Sequence, residues 1–139
     1  MSKNLNEGRV YFSLDSEVVN PSKIQKVLNV PGAVVIHKGS KANGILPRHN
    51  SWRLSTETVV AEILDIYTVT LQLVEKLIPY ENTLKQVIQE YDLKARLEVV
   101  LWFSKDESIS MPILGFDAKI INFLSEVGAY IDVDTYRNL

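Results

Sequence analysis

The chain has 139 residues, a net charge of −2 and no cysteine, with 46% hydrophobic and 23% charged residues. That is the make-up of one ordinary globular domain spanning 1–139, and a chain of this size buries roughly two thirds of its unfolded surface without staples. The lack of cysteine excludes disulfides, thiolate metal sites and cysteine nucleophiles.

The first residues lack the apolar core of a secretory leader. The most apolar stretch, Val59 to Ile78, carries Glu62, Asp65, Glu75 and Lys76, so it reads as a buried helix rather than a membrane span. The expectation is a cytoplasmic protein with no membrane partner. Charge is unevenly spread. Val18 to Thr56 holds six bases and no acid, whereas Glu57 to Asp134 holds fourteen acids against six bases. Such polarity bears on partners and encounter rates, not on fold.

Residues 1–8 are polar. Arg9 to Asp15 then alternates, with Val10, Phe12 and Leu14 on one face and Tyr11, Ser13 and Asp15 on the other, as in a half-buried strand. Asn20-Pro21 supplies an N-cap and a first-turn proline for a short helix whose buried stripe is Ile24, Val27 and Leu28. Pro31-Gly32 is the expected stop, and Ala33 to His37 the second strand. A polar loop fills 39–50, and Ser51 to Leu54 resumes an extended path.

Ser55 or Thr56 is the expected cap of a long helix beginning near Val59, with Val59, Ile63, Ile66, Leu73, Val74 and Leu77 as its stripe and Pro79 at its end. Leu84, Val87, Ile88 and Tyr91 mark a shorter helix. These two form a helical insertion over 57–91. Arg96 to Phe103 sets Leu97, Val99, Leu101 and Phe103 against Glu98, Val100 and Trp102, a strong strand pattern. Met111 to Leu114 reads as a short extended piece. Asp117 caps the last helix, with Ile120, Phe123, Leu124 and Val127 inward; Gly128 ends it, and Ala129 to Asp134 is the final strand.

Asn20 to Lys38 and Phe116 to Asp134 superpose without gaps, placing Lys23 on Lys119, Ile24 on Ile120, Leu28 on Leu124, Gly32 on Gly128 and Ala33 on Ala129. Each copy follows a strand candidate. Two strand-helix-strand halves, 9–54 and 96–136, most economically make an α+β ferredoxin-like sandwich with an antiparallel sheet. The first strands of the halves would be central and the strands after the helices would be edges. The expected core is Phe12, Ile24, Leu28, Val35, Val99, Leu101, Ile120, Leu124 and Ile131.

Lys38-Gly39, Asn50-Ser51-Trp52-Arg53-Leu54, Pro79, and Gly128-Ala129-Tyr130-Ile131-Asp132-Val133-Asp134 with Tyr136 together resemble a bacterial family of small proteins, domain-of-unknown-function family 4279. The resemblance runs from about Val10 to Tyr136. It implies a two-half α+β layout and carries no established activity. Small bacterial proteins of this kind include immunity partners of toxins, a likeness by association.

Gly39 to Gly44 spaces two glycines as a P-loop does, but Ile45-Leu46-Pro47 follows where Lys-Ser or Lys-Thr and a helix are needed. His37, Lys38, Lys41, Arg48, His49 and Arg53 surround Trp52 with no neighbouring acid in sequence. Basic groups beside an aromatic suit an acidic protein surface, a phosphate or a single strand of nucleic acid. The plainer reading is a solvated loop, with Trp52 packed under the insertion helices and Arg53 projecting beside Arg48 and paired to one of those helices' acids. The pI near 5.7 argues against nucleic acid as the main partner.

Asp132 and Asp134 share a strand face with Tyr130. Paired carboxylates can hold a cation, given a third ligand, but the sequence places none. The plainer reading is a charged edge strand that resists edge-to-edge pairing. The two histidines fit no zinc spacing, and no serine has nucleophile-elbow context.

These features lead to a non-catalytic protein-interaction module, with an immunity or antitoxin-like protein as its concrete form. The sheet face away from the helices would show Tyr11, Trp102 and Tyr130 among Asp15, Glu98 and Asp132, aromatics within a polar rim. The alternative is a domain binding an anion or phosphate-bearing metabolite through the basic 37–53 stretch. An enzyme is the weakest reading. No cofactor or metal is expected, and a homo-oligomer through the edge strands is open.

Overall fold

The computed structural model describes residues 5–40 and 47–137. Its elements are β1 (Asn6–Ser16), α1 (Pro21–Leu28), β2 (Val34–Ile36), β3 (Asn50–Ser55), β4 (Val59–Ala61), α2 (Ile66–Leu77), α3 (Glu81–Tyr91), β5 (Lys94–Phe103), α4 (Ala118–Val127) and β6 (Tyr130–Arg137). A single 3-10 turn holding Pro79 joins α2 to α3. The strands form one sheet in the order β2-β3-β1-β5-β6, with β4 pairing the start of β1. Among the described residues no helix is long and apolar enough to cross a membrane.

One apolar core lies between the sheet and the helices. Val10, Phe12 and Leu14 of β1, Trp52 and Leu54 of β3, and Leu97, Val99 and Leu101 of β5 supply its sheet side. Ile24, Leu73, Leu84, Ile120, Phe123 and Leu124 close it from the helices. The period-two alternation of β1 and β5 is therefore the fold's main instruction. Gly8 marks where the start of α2 crosses the sheet: a Cβ there would lie 2.9 Å from Ile66 Cδ1, 3.0 Å from Leu64 Cδ2 and 3.1 Å from Leu101 Cδ2.

The helix signals act locally as their chemistry requires. Asn20 Oδ1 accepts from the Ser22 amide ahead of Pro21, and Asp117 caps α4. Gly128 is the left-handed cap of α4, at φ 69. Gly32 also has a positive φ of 83, but α1 already ends at Leu28, where Asn29 takes the left-handed conformation. The two repeated segments thus share a helix-then-strand form, with α1 the shorter.

Further expectations about strands and core are corrected. The long helix does not begin near Val59 under a Ser55 or Thr56 cap. Val59–Ala61 is β4, and α2 starts at Ile66 behind Asp65, whose Oδ1 accepts from the Thr68 amide. Thr56 instead stitches the β3–β4 junction to β1: its amide donates to the Val10 carbonyl, and its hydroxyl accepts from the Val10 amide. The β-branched Val59-Val60 pair suits a strand as well as a helix stripe, and β1 had a free edge to offer it.

The sheet is mixed, not antiparallel. β6 runs parallel to β5, while β1 is antiparallel to both β3 and β5. In a ferredoxin-like order β5 would lie between β1 and β2. Here β3 fills that slot, so β5 pairs with the other side of β1, and β6 comes to lie parallel beyond it. What stands is an α+β fold with β2 and β6 at the edges of the main strand path. The edges are four inter-strand spacings apart, about 19 Å.

The core list needs one correction and one adjustment. Ile131 is 38% exposed, because β6 is the edge strand and α4 leaves its rim open. Val35 is only partly buried at the opposite edge.

Candidate functional site on the uncovered sheet face

The second face of the sheet carries the alternate residues of the same strands, and no described helix covers it. Register sets its rows. Tyr11 stands opposite Glu98, which stands beside Asp132; Ser13 lies between Arg53 and Arg96; Trp102 stands beside Tyr136. The face is polar yet closely packed, for Tyr11, Ser13, Asp15, Ser51 and Glu98 are all buried.

At its centre, three guanidinium groups surround one ring. Arg53 lies 4.6 Å, Arg9 5.4 Å and Arg96 5.5 Å from the Tyr11 ring centroid. Burial pushes the Tyr11 hydroxyl pKa up, against the pull of the arginines. Arg96 also bridges two carboxylates: Nη2 lies 3.2 Å from Asp15 Oδ2, and Nη1 donates to Glu98 Oε1 at 2.7 Å. Asp15 Oδ1 accepts from the Ser13 and Ser51 hydroxyls. Among the described residues Arg53 makes no ion pair, so the expected pairing with an acid of the helices is not formed, and its Nε is buried without a hydrogen-bonding partner.

Toward β6 the face turns acidic. Carboxylate oxygens of Glu98, Asp132 and Asp134 lie within 4.8 Å of one another. Burial first, then Asp132 and Asp134, raise the Glu98 pKa to about 8, while Arg96 opposes the rise. Ionised, Glu98 Oε2 has no donor. A proton on Glu98 would let it donate to either aspartate. Further along, Trp102 and Tyr136 stack with centroids 5.6 Å apart, and Lys94 lies over the Tyr130 ring at 5.2 Å. A hollow of about 520 Å³ opens at the end of β1, lined by Asp15, His49, Tyr91, Lys94, Arg96 and Tyr130 among others.

The basic stretch does not form one patch. Lys41 lies outside the described residues. Lys38 pairs with Glu17 at 2.9 Å, and His49 Nδ1 lies 2.6 Å from the same carboxylate. The Lys38 ammonium, then His49, holds Glu17 below the usual carboxylate range. Arg48 is exposed. Trp52 is fully buried, but against α1 rather than a helix near Val59: its Nε1 donates to Gln25 Oε1 at 2.7 Å. Arg53 turns to the uncovered face and Tyr11, away from the loop. Strand alternation splits the neighbours Trp52 and Arg53 between core and face.

Tyr11, Trp102, Tyr130, Asp132 and Asp134 do share that face, as the alternation suggested. Arg9, Arg96 and Tyr136 belong to the face without having stood out in the sequence, and Glu98 lies at its centre rather than in a rim. The visible signal was Glu98 itself, an acid in mid-strand between apolar neighbours.

A family model described as Domain of unknown function (DUF4279) matches residues 6–138. The chain belongs to that family. The match takes in every strand of the sheet, and so both the arginine centre and the acidic rim of the face. No curated protein and no solved structure matches the chain.

Proposed function

We propose that the chain is a non-catalytic binding module that receives a partner protein on the uncovered sheet face. The observation that carries this reading is Arg53: it stacks on Tyr11 at the centre of the face and, among the described residues, has no carboxylate of its own. An arginine held in place by an aromatic, with free donors, is the kind of group that dominates interface energies. The partner chemistry that fits is an acidic side chain presented to Arg53 and Arg9, with apolar surface against the Trp102–Tyr136 stack. An immunity-like role is the special case in which the captured partner is an enzyme that the face blocks.

A second reading, a small-anion site, rests on the same guanidinium, which has no carboxylate partner among the described residues. Affinity capture from the native cell with wild type, Arg53→Gln and Trp102→Ala tests the first. The expected result is one stoichiometric partner, weakened by both substitutions. Equal capture by all three chains would overturn the face as the binding surface. For the second, titration with inorganic phosphate and phosphate-bearing metabolites at low salt should show binding to wild type that Arg53→Gln loses. Equal, undetectable binding by the two folded chains ends the anion reading.

A further inference from the structure

Glu98 is distant in sequence from Asp132 and Asp134. They meet because β6 pairs in parallel with β5, setting Asp132 beside Glu98 and Asp134 beside Val100. One oxygen from each lies within 4.8 Å of the other two. A calcium ion binds oxygens at about 2.3–2.6 Å, so oxygens up to about 5 Å apart can share one.

A second observation points to a ligand rather than to acids that merely crowd. The Glu98 side chain is fully buried, its Oε1 is taken by Arg96 Nη1, and among the described residues no N–H or hydroxyl donor reaches its Oε2, which has the Asp132 and Asp134 carboxylates beside it. Arg96 is itself held by Asp15. It orients the Glu98 carboxylate as an outer-shell group orients a metal ligand, leaving Oε2 as the free oxygen. Four carboxyl groups, those of Asp15, Glu98, Asp132 and Asp134, gather around the Arg96 guanidinium, which pairs with only the first two. The other arginines are stacked on Tyr11.

We propose that Glu98, Asp132 and Asp134 form a binding site for a divalent cation of the calcium class. The donors are all carboxylate oxygens, with neither histidine nor cysteine among them, which suits a hard cation and not zinc or copper. Asp132 is half-buried and Asp134 exposed, so water completes the shell on the open side. Calcium tolerates such an irregular, partly hydrated shell better than magnesium does. The bound ion ties the rim of β6 to β5 across the face. This site does not depend on the partner reading above.

Terbium is the probe, because it replaces calcium and emits when a nearby tryptophan is excited. Trp102 lies on the same face of β5, next to Val100, the residue facing Asp134 on that face. The protein, first stripped with EDTA, should give a saturable terbium signal that calcium displaces. Asp134→Asn and Asp132→Asn, both at solvent-reached positions, should weaken it about tenfold or more while the circular dichroism stays native. Calcium should also raise the Tm of wild type and leave that of the variants unmoved. No saturable signal from wild type, or an undiminished signal from both folded variants, overturns the site.

Discussion

The guanidinium of Arg53 lies 4.6 Å from the centroid of the Tyr11 ring, yet the two belong to neighbouring antiparallel strands and are not directly opposite: Tyr11 faces Ser55, and Arg53 faces Ser13. The contact is a diagonal one, of the reach that long side chains make across a sheet. It leaves the donor edge of the arginine unused.

Arg53→Gln should therefore cost little stability, about 0.5–1 kcal/mol, the worth of a cation–π contact near solvent. Urea unfolding with an unchanged m-value checks this. A loss several times larger would mean that Arg53 holds the fold together rather than serving a partner.

Arg96 is the opposite case. Among the described residues it is the one cation paired with both Asp15 and the buried Glu98. Arg96→Ala leaves the buried Asp15 carboxylate without its cation and should cost about 3–5 kcal/mol. Adding Asp15→Asn to Arg96→Ala should return part of that loss, because the stranded charge is gone. Chemical denaturation of the single and double variants measures the coupling.

Leu124 and Ile131 test the helix and edge registers together. Leu124 is 4% exposed and packs in the core, while Ile131 sits on the open rim. Leu124→Ala should cost about 2–5 kcal/mol. Ile131→Ala should cost well under half as much, measured in the same denaturant series.

Asp117 gives a pH dependence of definite sign. The amide of Ile120, then the Tyr67 hydroxyl, holds its carboxyl below the ordinary value of 3.8. Folding thus favours the charged form. The contribution is complete above the unfolded pKa and is lost as pH falls through the folded one. Wild type should lose more stability than Asp117→Asn on acidification from roughly pH 5 to pH 2.5, since asparagine caps α4 without titrating. Thermal melts across that range decide it; parallel loss in both chains would contradict the assignment.

Local physics was legible in the sequence, and strand order was not. The alternation of Val10, Phe12 and Leu14, the caps at Asn20 and Asp117, and the turn at Gly128 are all written within a few residues. The place of β3 between β1 and β2 depends on partners far along the chain, as does the parallel approach of β6 to β5. That is why Asp132 and Asp134 lacked a third carboxylate until Glu98 was found beside them. Likewise, Glu17 entered the basic stretch only through folding, quenching Lys38 and His49.

The pairing of Val10 with Val99 across the middle of the sheet has a consequence for how the chain comes into being. β1 is made early, and its longest partner, β5, leaves the ribosome only after β2, β3, β4 and three helices have been synthesised. Until then one side of β1 is bare, and the row of Val10, Phe12 and Leu14 has only part of its cover. Non-local pairing of this kind makes folding slow and exposes sticky intermediates. A nascent chain halted before Lys94 should be bound by chaperones and cut readily by protease, and one released with β5 outside the exit tunnel should gain protection in a single step.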